Sequence, residues 1–164
     1  VNEAIQEIRR HVSDSFGDIH APHYAKVSAR LDTRSTWPEL SSMIQIFWVK
    51  DVTDVNYDIS MGLLLKDGID EFKLELSAVG PYAAIMKLRQ DKYYLTSLNE
   101  VMADARLVGA LASTMRSRTF LSQSVMEREI PFGADEAGHV SRRIYTVLFS
   151  DIEILPWETF NRVG

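Results

Sequence analysis

Cysteine is absent from all 164 residues. That excludes disulfides, thiolate metal sites and cysteine nucleophiles, and it suits a cytoplasmic chain. No apolar run approaches the roughly 18 residues that a membrane span needs. The opening VNEAIQEIRR alternates charge where a secretory leader would carry an apolar segment, and a first residue of Val1 points to a short piece removed upstream. Catalytic signatures are missing too. There is no G-x-S-x-G elbow, no S-x-x-K, no H-E-x-x-H and no glycine-rich phosphate loop. A basic excess is also lacking, since 18 Lys and Arg against 23 Asp and Glu leave a net charge of −5. That is the wrong sign for a general nucleic-acid binder. The reading is a soluble protein with neither membrane nor nucleic acid among its partners.

What is present describes a globular chain. Hydrophobic residues make up 46% and charged residues 25%, ordinary for a folded domain. A chain of this length buries roughly 70% of its unfolded surface and needs no staple. No repeat, linker or low-complexity segment divides it, so residues 1–164 read as one domain.

Periodicity predicts the elements. Ala4, Ile5, Ile8 and Val12 share a helical face over 2–13, and Pro22 can start a second helix carrying Tyr24, Val27 and Leu31. Residues 40–50 read as a helical turn entering a strand. Asp67-Gly68 between alternating runs is a hairpin signal. A type I′ turn there pairs Lys66 with Ile69 and sets Leu63, Met61 and Ile59 opposite Phe72, Leu74 and Leu76. Ser60, Gly62 and Leu64 then share the outward face with Glu71, Lys73 and Glu75. Gly80-Pro81 punctuates the chain before a third strand, whose Lys87 and Arg89 are expected to face outward, and YYLT extends the meander. Ser97 and Glu100 have capping-box spacing before a helix reaching about Arg116, in which Gly109 suggests close packing on the sheet. SVMEREIPF reads as a strand ended by Pro131, GADEAGH as an acidic loop, RRIYTVLF as strand or short helix, and SDIEILPW as an apolar anchor. Trp48 and Trp157 are expected inside. The fold class is α+β: an antiparallel β meander with N-terminal helices and one long helix packed on one face.

Few residues suggest chemistry. Asp18, His20 and His23 could approach a metal, but Pro22 breaks the helical spacing that would aim both imidazoles at one ion. The run DVTDVNYD lacks the glycine and terminal glutamate of an EF-hand loop. No metal and no cofactor is expected. Charge distribution says more. Residues 51–86 carry seven acids (Asp51, Asp54, Asp58, Asp67, Asp70, Glu71 and Glu75) against Lys66 and Lys73, whereas residues 87–128 carry seven basic side chains against four acidic. Such a segment can steer and pair with a basic partner.

With FWVKDVTDVNYDI, LSAVGPYAAI and LFSDIEILPW in view, the chain resembles the small, acidic, cysteine-free immunity proteins of bacterial polymorphic-toxin and contact-dependent growth inhibition systems. The resemblance lies in size, charge and texture over most of the chain. It implies a cytoplasmic, non-enzymatic antitoxin, a monomer or weak homodimer. Such a protein binds a cognate toxin domain and occludes its basic active site or substrate surface. The seven acids are the expected contact surface. The alternative class is a small-molecule-binding protein or enzyme with a cavity between sheet and helix.

Overall fold

A computed structural model describes residues 2–90, 92–135, 138–152 and 155–158. Two helices begin it, α1 (Asn2–Phe16) and α2 (Ala25–Asp32). Ile8, Val12 and Phe16 of α1 are buried, as are Val27 and Leu31 of α2, so each helix lays one apolar stripe on the core. Gly17, at φ +74°, takes the left-handed conformation that ends α1.

A 3₁₀ turn (Arg34–Thr36) and the short α3 (Leu40–Met43) lead to β1 (Trp48–Asp51). Then come β2 (Ser60–Asp67), β3 (Asp70–Ser77), β4 (Tyr82–Arg89) and β5 (Lys92–Leu95). They pair in sequence order, each antiparallel to the last. The fold is α+β, built on this meander. The two-residue β6 (Thr119–Phe120) pairs parallel with the start of β4, sharing the edge that β5 occupies further along. Between Ser77 and β4 the chain passes close beneath α1. A Cβ on Gly80 would lie 2.7 Å from Tyr82 Cε2 and 3.1 Å from His11 Cβ, so the Gly-Pro pair is a packing device of the turn.

The hairpin register differs from the expected one by two residues. Asp67 pairs with Asp70, Leu65 with Phe72, Leu63 with Leu74 and Met61 with Leu76. Positive φ is confined to Gly68, at +59°. That is the type II′ pattern, in which glycine takes the first central position and Ile69 the second. A shift of two preserves the faces, because side chains alternate with period two.

The expected long helix is three, α4 (Leu98–Ala103), α5 (Ala105–Ala110) and α6 (Ala112–Ser117). Ser97 and Glu100 form the capping box. Asp104 breaks the run, because its extended backbone lets the carboxylate accept from the N–H groups of Arg106 and Leu107, a bonding pattern that aspartate favours over a helix interior. These helices cover one sheet face, where Met61, Leu63, Leu65, Phe72, Leu74, Leu76, Ala83 and Ile85 meet Met43, Phe47, Val101, Leu107 and Leu111.

The end of the second face around Ser60, Glu75 and Ala84 is covered as well, contrary to the expected water-facing side, while Lys66 and Glu71 nearer the turn stay partly exposed. After α7 (Gln123–Met126), β7 (Glu129–Asp135) and β8 (Gly138–Arg143) form a bulged hairpin and α8 (Ile144–Leu148) follows. Pro131 lies within β7 opposite Ser141, tolerated in a two-stranded ribbon next to a bulge. All five residues of α8 are buried. With α1, α2 and the β7–β8 hairpin they form a core around Ile59, Ala78, Tyr82 and Ala84. Lys87 is opposite Phe72 and its ammonium sits 5.1 Å from that ring, so it belongs to the helix-covered face. Trp48 is 58% exposed on the edge strand, whereas Trp157 packs 5.3 Å from Tyr145. Two expected segments, the acidic loop at 133–139 and the anchor at 150–157, lie partly outside the described residues, at 136–137 and 153–154. No helix among the described residues is long and apolar enough to cross a membrane.

Candidate functional site

The seven acids do not form one surface. Asp67 and Asp70, at the mouth of the β2–β3 hairpin, converge with Asp104 on Arg106 at 2.7, 3.0 and 2.9 Å, and Asp70 also pairs with Lys87 at 2.7 Å. Bonds from Lys87 and Arg106 hold the Asp70 carboxyl below its usual range. Glu71 pairs with Lys66 at 2.6 Å. Asp51 accepts from Arg34 Nε at 2.8 Å and from the Thr53 N–H at 2.9 Å. Burial opposes its ionisation, but those bonds outweigh it and bring its pKa down. Most of the apparent excess is thus matched by Arg34, Lys66, Lys87 and Arg106.

Glu75 corrects the expectation most directly. It is 1% exposed, because α8 lies over it, so a docking protein cannot touch it. Its oxygens accept from the Tyr145 hydroxyl at 2.8 and 3.0 Å and from Lys73 Nζ at 2.7 Å. Burial, then the Glu75 charge, push the Tyr145 phenol well above its ordinary value, so the hydroxyl stays a donor. Burial alone would lower Lys73, yet attraction and hydrogen bonding to Glu75 win and raise it. The cluster is therefore a buried carboxylate satisfied by a phenol and an ammonium. The alternation of Lys73 and Glu75 along β3 was legible, but Tyr145, 70 residues away, gave no local signal.

Asp54 and Asp58 form no ion pair among the described residues, and they lie in the β1–β2 loop. Asp54 Oδ1 accepts from the Asn56 N–H at 3.0 Å, and Asp58 Oδ2 from the Asp54 N–H at 2.7 Å. Burial raises the Asp58 pKa, with Glu75 adding to it, against the bond from Asp54 and the charge of Lys73. Between these acids Val55 is 59% and Tyr57 56% exposed. The loop borders a groove of about 260 Å³ whose lining includes Tyr24, Val27, Leu31, Ile59 and Asp58. Glu75, Lys73 and Tyr145 are not among its walls. An apolar floor with carboxylates at its rim suits a lysine or arginine side chain, whose stem is apolar and whose head is charged.

No protein-family model, no curated protein and no solved structure matches this chain.

Proposed function

We propose that the protein is a cytoplasmic, non-enzymatic immunity protein that binds a cognate toxin domain through the β1–β2 loop and the groove beside α2. The observation that carries this reading is the pairing of exposed Val55 and Tyr57 with Asp54 and Asp58, the two acids of the segment that form no ion pair among the described residues. Tyrosine flanked by carboxylates supplies apolar contact and charge complementarity in one patch. The footprint is smaller than seven acids, because hairpin carboxylates already bound to Arg106 and Lys87 would have to surrender those bonds to a partner.

The test is calorimetric titration with a toxin domain encoded beside this chain. Tight binding by wild type, lost in Asp54→Lys/Tyr57→Ala but kept in Asp67→Asn/Asp70→Asn, supports the reading. Failure to bind any such domain removes it. A second reading, a small-molecule-binding protein or enzyme, is favoured by one observation, the buried Lys73–Glu75–Tyr145 cluster. A small molecule that raised the melting temperature of wild type and not of Tyr145→Phe would support that alternative.

A further inference from the structure

A second groove, of about 290 Å³, lies at the β3–β4 connection, where Arg30, Thr33, Trp37, Gly80, Pro81 and Arg118 are among its walls. Both guanidiniums are fixed in place by the protein. Arg30 Nη1 donates to Ala78 O at 2.7 Å and to Ser15 Oγ at 3.0 Å. Arg118 Nη1 donates to Ser77 O at 2.7 Å and its Nε to Glu39 Oε1 at 2.6 Å, while its guanidinium centre stands 4.8 Å from the Trp37 ring centroid. The anchoring uses only part of each fork. Nε and Nη2 of Arg30 and Nη2 of Arg118 make no hydrogen bond to protein among the described residues, and Arg30 forms no ion pair there.

Two guanidiniums against the single carboxylate of Glu39 leave one net positive charge at the groove. That balance matches a monoanion. The unused donors are in the planar arrangement that recognises carboxylates bidentately, and Trp37 with Pro81 adds apolar walls for a flat body. The volume is at the small end for ligand sites. We propose that this groove binds a small carboxylic acid with a planar apolar body, its carboxylate held by Arg30 and Arg118 and its body against Trp37. The site is separate from the β1–β2 loop, so it stands or falls independently of toxin binding.

The probe is benzoate, titrated into the ¹⁵N-labelled full chain at low ionic strength with inorganic phosphate as comparison. Saturable shifts at the Trp37 indole N–H and the Gly80 amide are expected. Affinity should fall about tenfold or more in Arg30→Gln and by less in Arg30→Lys, which keeps the charge but not the fork. Should Arg30→Gln fold poorly, Thr33→Glu sets a repelling carboxylate at the rim while leaving the bonds of both guanidiniums in place, and it should also weaken binding about tenfold or more. Absence of saturable shifts, unchanged affinity in Arg30→Gln or Thr33→Glu, or tighter binding of phosphate than of benzoate would each overturn the proposal.

Discussion

Replacing Tyr145 by Phe removes one oxygen from the buried cluster around Glu75. The ring keeps its neighbours, Phe149 at 5.5 Å and Trp157 at 5.3 Å, so no cavity opens and the effect isolates the hydroxyl. What is lost is a hydrogen bond to a buried carboxylate, at 2.8 and 3.0 Å to its two oxygens. Bonds to charged groups contribute about 1.5–3 kcal/mol. With a urea m-value of roughly 2 kcal/mol/M for a domain of this size, a loss of ~2 kcal/mol moves the unfolding midpoint down by about 1 M. A double-mutant cycle with Glu75→Gln should return a coupling of about 1 kcal/mol or more. Alkaline titration adds a second reading. Tyr145 and Lys73 both have folded pKa values raised above their ordinary 10.0 and 10.5, so the folded state holds protons that the unfolded chain releases. Their contribution is complete below about pH 10 and is lost as pH climbs through the folded values, at about 1.4 kcal/mol per pH unit for each retained proton. Tyr24, Tyr82 and Tyr93 are raised as well, Tyr82 to about 12, so wild type should destabilise steeply above pH 10. Tyr145→Phe should lose one proton's share of that slope. A coupling near zero together with an unchanged alkaline slope would refute the buried cluster.

Asp58→Asn should stabilise the fold at pH 7 and, on the proposed function, weaken binding of the toxin domain in the same calorimetric titration. Burial raises the Asp58 pKa above 3.8, so the contribution of its protonated form is present below that pH and lost as pH rises through the folded value; asparagine keeps an acceptor for the Asp54 N–H without the buried charge. Melting curves at pH 7 and below pH 3.8 check this, because the advantage should vanish in acid. Arg118→Met should cost about 3–5 kcal/mol by denaturant unfolding, since it strands Glu39, whose side chain is 4% exposed. Burial works against ionised Glu39, but Arg118 and Ser117 hold its pKa below 4.5, so the support is present above that pH, and the gap between wild type and variant should narrow as pH falls through the folded value. Gly109→Ala should raise stability by up to ~1 kcal/mol in thermal melts, through helix propensity. The new Cβ would come 2.9 Å from Ile46 Cδ1, the tip of a partly exposed side chain that can turn aside.

How far the fold was legible depended on whether a signal was local. The β2–β3 faces were readable because Met61, Leu63 and Phe72 keep their side of the sheet under a register shift of two. The turn type was not, because Asp67-Gly68 fits I′ and Gly68-Ile69 fits II′, and only strand pairing decides between them. The covered second face left a trace that alternation arguments passed over. Tyr82 to Met86 are all buried, and a continuous apolar run signals a strand packed on both sides. Asp104 likewise marked its helix break, since aspartate prefers a cap to an interior. The candidate site was less readable. Exposure of Val55 and Tyr57, the Tyr145 hydroxyl over Glu75, and the meeting of Arg30 with Arg118 all depend on elements distant in the chain, for which a single sequence offers no pairing rule.

Charge shows the same limit and bears on mechanism. Counted along the chain, residues 51–86 hold seven acids and two bases, which implies a strong field able to guide a basic partner from a distance. In three dimensions Arg34, Lys87 and Arg106 enter that segment from outside it, beside its own Lys66 and Lys73. Paired charges a few ångströms apart cancel beyond about a Debye length, roughly 8 Å at physiological salt. Long-range attraction thereby shrinks, and what remains acts at contact, through Asp54, Asp58 and the exposed Tyr57 between them. A partner using this face would be chosen by the fit of a basic side chain in the α2 groove, with steering a minor contribution.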